Sequence, residues 1–227
     1  MIRTKLINRI LPSYTKGEEI FNMVSHIAGG GLGVVALLTC VIVAAYNQNG
    51  WGIVSGAIYG FALILLFTAS SLYHGLTAEL PKKVFQVIDH CTIFILIAGT
   101  YTPILLNKFR EVYPFEAGVM FSIVWGFAIL GIVLNAIDLK RFKTFSMICY
   151  LGMGWLVIFR FKKLLDVIGS TFFVFLLIGG VFYTIGAMLY LIGKKKNKKY
   201  MHSVFHIFVD IAALMHFLGI AIFIMPA

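Results

Sequence analysis

Charged residues are scarce in this chain. Asp, Glu, Lys and Arg make up 12% of its 227 residues, whereas hydrophobic residues make up 60%. A typical soluble domain has about 25% charged residues, so this composition excludes one. Long polar stretches are absent as well, because the connectors between apolar runs are short. We therefore expect a single integral membrane domain over 1–227, with a short cytoplasmic N-terminal tail over 1–18.

Cysteine is also rare. The three cysteines, Cys40, Cys91 and Cys149, fall in three different apolar runs, and an odd number without paired spacing excludes a disulfide framework. We expect them to be small buried apolar side chains. A cleavable secretory signal is absent too, because the first apolar run begins near Ile20, is too long and lacks a small-residue cleavage site. The first helix is therefore expected to stay in the protein.

Long apolar runs dominate what remains. Reading for runs of about 18–25 residues, the length that crosses a bilayer as a helix, yields seven candidate spans. They cover 22–46, 52–76, 84–107, 114–137, 144–161, 169–193 and 200–225. We therefore predict an all-α membrane protein, a bundle of seven transmembrane helices.

Positive charge is distributed unevenly between alternate connectors. The N-terminal tail, which contains Arg3, and the connectors after spans two, four and six hold fourteen Lys and Arg residues, whereas the other side holds five. Cytoplasmic loops carry the excess of Lys and Arg, so we predict a cytoplasmic N-terminus and an external C-terminus in the plasma membrane. The net charge of +10 is then a topology signal that suits anionic lipid headgroups at the cytoplasmic face. It requires no nucleic acid partner.

A histidine pair opens the last span. His202 and His206 are four residues apart, so both imidazoles face one side of a helix and can reach one metal ion. The predicted topology puts His74, at the end of span two, and Asp89, at the start of span three, at the same cytoplasmic level. Three histidines at one depth predict a zinc site, although His74 alone could be a hydrogen-bonded contact between helices. His216 lies about 15 Å deeper and is not expected to be a ligand.

Three nitrogen ligands with an open fourth position are typical of catalytic zinc sites. Zinc lowers the pKa of a bound water to about 7, which makes a nucleophile available at neutral pH. Asp89 is placed to act on that water as a general base. Alternatively, it accepts a hydrogen bond from a histidine ligand. Ser70, four residues before His74, could bind the water or a substrate oxygen, although a membrane serine commonly bonds to its own helix.

Further polar residues lie in the first and last spans. Glu19, Asn22 and His26 follow helical spacing near the start of span one, and we interpret them mainly as a hydrogen-bonded brace between helices. Asp210 lies four residues after His206. Two interpretations of Asp210 stay open: it accepts a proton from His206 and fixes its tautomer, or it relays protons along a polar path through the bundle.

These residues resemble the hemolysin III family, the bacterial branch of the progestin and adiponectin receptor (PAQR) proteins, over essentially the whole chain. The segments that carry the resemblance are Glu19-Ile20-Phe21-Asn22, Ser25-His26, Ser70-Ser71-Leu72-Tyr73-His74, Asp89 and His202-Ser203-Val204-Phe205-His206. The resemblance implies a seven-helix bundle with a cytoplasmic N-terminus and a zinc ion held by His74, His202 and His206. It also implies that Asp89 holds the zinc water with Ser70 beside it. Asp210 departs from the family pattern, in which an apolar residue is usual.

Two functions are compatible with these features. The first is a zinc-dependent, ceramidase-like hydrolase that cleaves an amide or ester bond of a membrane lipid and thereby serves lipid homeostasis. The second is a non-enzymatic protein, either a channel-like hemolysin that causes cytolysis or a sensor of membrane state, with a structural zinc.

Overall fold

The computed structural model describes residues 4–226, and over that range the regular structure is helical throughout. The long helices are α1 (Lys16–Tyr46), α2 (Gly50–Gly75), α3 (Glu79–Ile104), α4 (Pro114–Gly154), α5 (Phe161–Lys195) and α6 (Met201–Gly219). Short helical turns lie at Leu6–Asn8, Leu105–Phe109, Arg110–Val112, Leu156–Arg160 and Ile220–Ile224. Arg3, which contributes to the predicted charge distribution, lies outside the described residues. The predicted all-α class is confirmed.

Five stretches of the described chain are long and apolar enough to cross a membrane. They are Lys16–Tyr46, Gly50–Gly75, Glu79–Val112, Pro114–Lys195 and Met201–Ile224. Large apolar side chains on these helices point outward, among them Ile42 at 63%, Phe61 at 60% and Ile129 at 59% exposure. A surface of this kind suits contact with lipid. The chain is a multi-pass membrane protein, as predicted.

The fourth of these stretches is 82 residues long and is interrupted. The backbone of Asp138, within α4, is not helical, and Gly169, within α5, has a φ of 77°, a left-handed value that favours glycine. Between them, Leu156–Arg160 forms a tighter 3-10 turn. The Asp138 carboxylate accepts the backbone N–H of Arg141 at 3.1 Å and so caps the helix that resumes after the break.

Helices α1 and α2 pack backbone to backbone. A Cβ atom on Gly60 would lie 2.4 Å from Cα of Leu37, and one on Gly33 would lie 2.9 Å from the backbone nitrogen of Ile64. Small residues allow this close approach, which is typical of helix pairs in membranes. The pairing aligns the start of α1 with the end of α2, where Glu19 and His74 meet.

The start of α1 is tied to the start of α6. Thr15 and Glu18 form a reciprocal cap, in which the Thr15 N–H donates to Oε2 of Glu18 at 2.8 Å and the Glu18 N–H donates to Oγ1 of Thr15 at 3.3 Å. The other carboxylate oxygen of Glu18 accepts the backbone N–H of Tyr200 at 2.6 Å. Tyr200 directly precedes α6, so this contact fixes His202 and His206 relative to α1.

The segment before α1 crosses the same end of the bundle. The Thr4 N–H donates to the Asp138 carboxylate at 2.8 Å, and Nζ of Lys83 donates to the carbonyl of Ile7 at 2.7 Å. At its other end, Tyr14 stacks on His202 with ring centroids 5.1 Å apart. The N-terminal segment therefore extends from the break in α4 to the histidines.

Candidate metal centre

Three histidines converge between α2 and α6. Nε2 of His202 lies 3.3 Å from Nε2 of His74 and 3.2 Å from Nε2 of His206, and one ring nitrogen of each lies within 4.8 Å of the other two. A tetrahedral ion with metal–nitrogen bonds of about 2.0–2.1 Å separates its nitrogen ligands by about 3.3 Å. His74 and His206 are buried, with 3% and 1% exposure. The group can therefore hold a metal ion without rearrangement of the helices.

Glu19 orients one of the three rings. Its Oε2 accepts a hydrogen bond from Nδ1 of His74 at 2.6 Å, and its Oε1 pairs with Nζ of Lys82 at 2.9 Å. A proton held on Nδ1 leaves the lone pair of Nε2 free to face the other histidines. The helical spacing of Glu19 predicted mainly a brace between helices. In the structure Glu19 also contacts His74, a predicted metal ligand. The Glu19 carboxylate, rather than that of Asp89, accepts the N–H of His74.

The other two rings are oriented differently. Nδ1 of His206 faces α1, where it lies 3.5 Å from Oγ of Ser25. Nδ1 of His202 is buried without a hydrogen-bond partner among residues 4–226. His202 is instead held by aromatic rings: Tyr14 stacks on it at an interplanar angle of 8°, and Tyr190 lies 5.2 Å away.

Replacing Glu19 by Gln should weaken metal affinity about 10- to 100-fold, because Gln cannot hold the proton of His74 as a charged acceptor does. The measurement is a competition titration of the purified protein with a chromophoric chelator. Glu79→Gln, at a carboxylate that is 74% exposed, is the matched control and should bind metal as the wild type does. Equal affinity in the Glu19→Gln protein would contradict this role.

Asp89 and Ser70 lie in the same cavity as His202 and His206. Ser70 lies beside the Asp89 carboxylate. Nδ1 of the neighbouring His90 donates to the carbonyl of Gln86 at 2.8 Å and lies 3.6 Å from Asp89. The structure thus pairs Asp89 with Ser70, the two residues predicted to act together, across the α2 and α3 helices.

The shared cavity has a volume of about 540 Å³. Its walls are mainly apolar and include Ile93, Ile97 and Leu176, whereas its polar groups include His202, His206 and Asp89. Small-molecule sites usually have a volume of about 300–1,000 Å³ and combine apolar walls with a few placed polar groups. The cavity therefore suits an amphiphile whose polar part reaches the histidines.

His26 and Asn22 also reach the cluster. The His26 ring stacks on His206 with centroids 3.7 Å apart and an interplanar angle of 14°. Both ring nitrogens of His26 and the side-chain amide of Asn22 are buried without hydrogen-bond partners in the described part of the chain. Their helical spacing correctly placed them on one face of α1, and that face meets the histidines.

Asp210 and His216 lie apart from this group. The nitrogens of His206 contact other residues, and no hydrogen bond joins them to Asp210 within residues 4–226; the buried Oδ1 of Asp210 has no hydrogen-bond partner there. Asp210 instead interacts electrostatically with Tyr183. Nε2 of His216 donates to the carbonyl of Leu176 at 3.1 Å.

Tyr14 and Lys82 are among the residues at the site that the sequence did not predict. Tyr14 precedes the first helix and has no periodic pattern around it, so only the fold reveals its contact with His202. Burial raises the pKa of the Tyr14 hydroxyl, which keeps it protonated and able to donate a hydrogen bond. Lys82 could have been found, because it lies at the same cytoplasmic level as the predicted site and a carboxylate there requires a cation.

Comparison with known proteins gives matches over most of the chain. A family model described as "Haemolysin-III related" matches residues 14–217. The chain is 37% identical to a "Hemolysin-3 homolog" of Bacillus subtilis (strain 168), over 86% of this chain and 89% of the relative. It is 34% identical to "Hemolysin-3" of Bacillus cereus, over 92% and 93%. The human "Monocyte to macrophage differentiation factor" is 24% identical over 82% and 77%. No solved structure matches. These matches confirm the resemblance inferred from the motifs.

Proposed function

Because the chain belongs to the haemolysin-III-related family of membrane proteins, we propose that it is a zinc-dependent hydrolase of membrane lipids. The observation that carries the proposal is the convergence of three histidine nitrogens in a site whose cavity also contains Asp89 and Ser70. The scissile bond is an amide or ester that links an acyl chain to the rest of the lipid. The acyl chain occupies the apolar part of the cavity.

The proposed bundle has seven helices with the N-terminus in the cytoplasm. As one straight helix, the 82-residue stretch would be about 120 Å long, far more than the hydrocarbon core of about 30 Å. The breaks at Asp138, Leu156–Arg160 and Gly169 support its division into three crossings. The excess of Lys and Arg on the side of the N-terminus supports the orientation.

Zinc is the proposed metal because three imidazoles and no thiolate or carboxylate form the cluster. Imidazole nitrogens suit zinc, and three protein ligands leave one position for water or substrate. When bound, zinc polarises this water and lowers its pKa to about 7. Glu19 contacts Nδ1 of His74, and Ser25 contacts Nδ1 of His206. These contacts support the presentation of Nε2 of each ring to the metal.

Asp89 and Ser70 are the proposed catalytic residues. Asp89 takes the proton from the attacking water and passes it to the leaving nitrogen or oxygen, as a general base and then a general acid. Ser70 lies beside this carboxylate, and its hydroxyl can donate to the developing oxyanion when the substrate arrives. The apolar walls exclude bulk water, which strengthens these interactions.

Removing the metal should abolish lipid cleavage. Treating the purified protein with a chelator should lower the release of fatty acid from a bacterial lipid extract at least about 100-fold, and zinc should restore it. Magnesium, which prefers oxygen ligands, is the control and should not restore release. A rate that is unchanged by chelation, at zero residual zinc, would contradict the proposal.

A non-enzymatic role is the second candidate: a channel-like hemolysin or a sensor of membrane state with a structural zinc. The name "Hemolysin-3" of the Bacillus cereus relative favours it. The buried polar groups of Asn22, His26 and Asp210, which have no hydrogen-bond partners within residues 4–226, suit a polar path through the bundle. Dye leakage from liposomes that contain the purified protein, persisting after Asp89→Asn, would support this candidate over the hydrolase.

A further inference from the structure

The cavity carries positive charge where three segments of the chain meet. Lys140 and Lys143 follow the break in α4, Lys194 lies at the end of α5, and Arg9 belongs to the N-terminal segment; all four line the cavity. Arg9 lies near the Asp138 carboxylate, which partly neutralises it. The lysines are therefore the residues that matter here.

Lys143 and Lys194 lie close to each other in the wall of this cavity. Neither forms an ion pair with a carboxylate among residues 4–226. The carboxylate of Asp89 lies in the same cavity, but its contacts are with Ser70 and His90. Two cations held this close repel each other, and an anion between them would turn that repulsion into attraction.

The lysine pair lies in the same cavity as two of the three histidines of the cluster. Lys143 and Lys194 line this cavity together with His90, His202 and His206. The lysine pair, two histidines of the cluster and the apolar walls thus belong to one continuous cavity. A ligand that matches this cavity has an anionic group at the lysines, a cleavable bond near the histidines and an apolar chain along the walls.

We propose that Lys143 and Lys194 bind the phosphate of a lipid whose acyl chain occupies the apolar part of the cavity. Phosphate accepts several charge-assisted hydrogen bonds at once, and lysine is a common partner for it. The substrate class is then a phosphate-bearing lipid, cleaved at its acyl linkage. The cleavage rests on the proposed function, whereas the binding does not require it.

Lipid binding to the purified full-length protein tests this assignment. Native mass spectrometry measures the affinity for oleoyl lysophosphatidate and for monooleoylglycerol, which has the same chain without the phosphate. We expect the phosphate to increase affinity about tenfold or more. In Lys143→Gln/Lys194→Gln that advantage should be lost while monooleoylglycerol still binds, which shows that the variant is folded. Lys143→Arg/Lys194→Arg should retain the advantage.

The neighbouring lysines provide a matched control. Lys195→Gln/Lys196→Gln removes the same number of positive charges, from the lysine run that contains Lys194. These side chains do not line the cavity, so the affinity advantage of the phosphate should persist. Equal affinity of the wild type for both lipids, or an equal loss in the control, would overturn the proposal. Inorganic phosphate that binds as tightly as lysophosphatidate would overturn the lipid assignment.

Two outcomes distinguish the phosphate-binding site from the proposed hydrolase activity. Phosphate-dependent binding without turnover would support the binding site and contradict the hydrolase. Turnover with binding that is independent of Lys143 and Lys194 would contradict the binding site alone.

Discussion

Replacing both His202 and His206 by Ala should reduce the metal content of the purified protein from about one ion per chain to nearly none. The two substitutions leave only His74 of the three convergent nitrogens, and a single imidazole does not retain zinc through purification. Elemental analysis by mass spectrometry of protein purified without added metal gives the stoichiometry directly.

His216→Gln is the control for the loss of a buried histidine from the same helix. His216 is not part of the cluster, and Gln can still donate to the carbonyl of Leu176, so this protein should contain as much metal as the wild type. Zinc that remains stoichiometric in the double variant would exclude the histidine cluster as the metal site. Metal loss from both variants alike would attribute it to a general disturbance of α6.

Asp89→Asn should lower lipid hydrolysis by about 100- to 10,000-fold and leave the metal in place. Asn has nearly the same shape and keeps an acceptor oxygen beside Ser70, but it cannot take a proton from water. Release of fatty acid under single-turnover conditions measures the chemical step, and elemental analysis of the same sample measures the metal.

The matched control is Asp210→Asn, at a second partly buried carboxylate that lies in α6 and does not line the cavity. Its hydrolysis should stay within a few-fold of the wild type. A normal rate in the Asp89→Asn protein would exclude Asp89 as the general base. Loss of zinc from that protein would instead give Asp89 a role in holding the metal.

Much of the site could be predicted from the sequence. Residue spacing shows which side chains share a helix face, and position within an apolar span shows their approximate depth in the membrane. Spacing placed His202 and His206 on one face of a helix, and the predicted topology placed His74 at the same membrane depth. The structure brings all three together. Ser70 and Asp89 come from adjacent helices joined by a short connector, so their contact also follows from local geometry.

The contacts that could not be predicted depend on how whole helices rotate against one another. Spacing showed that Glu19, Asn22 and His26 share a face of α1, but the partner of that face is set by the close packing of Gly33 and Gly60 between α1 and α2. Tyr14 lies in an irregular segment whose path no periodic pattern specifies.

The lysine pair escaped prediction for the same reason. Lys143 and Lys194 were assigned to two separate cytoplasmic connectors, where they served as topology signals. Only the three-dimensional path of α4 and α5 shows that they meet at one cavity.

Isotope incorporation from water enriched in oxygen-18 tests most directly whether water activated at the histidine cluster cleaves a lipid. Purified zinc-loaded protein is incubated with a lipid extract, and released fatty acids are analysed by mass spectrometry, so the substrate need not be known beforehand. We expect one oxygen-18 atom in each released carboxylate for the wild type and background labelling for Asp89→Asn. Background labelling in both proteins, with stoichiometric zinc bound to each, would contradict this expectation.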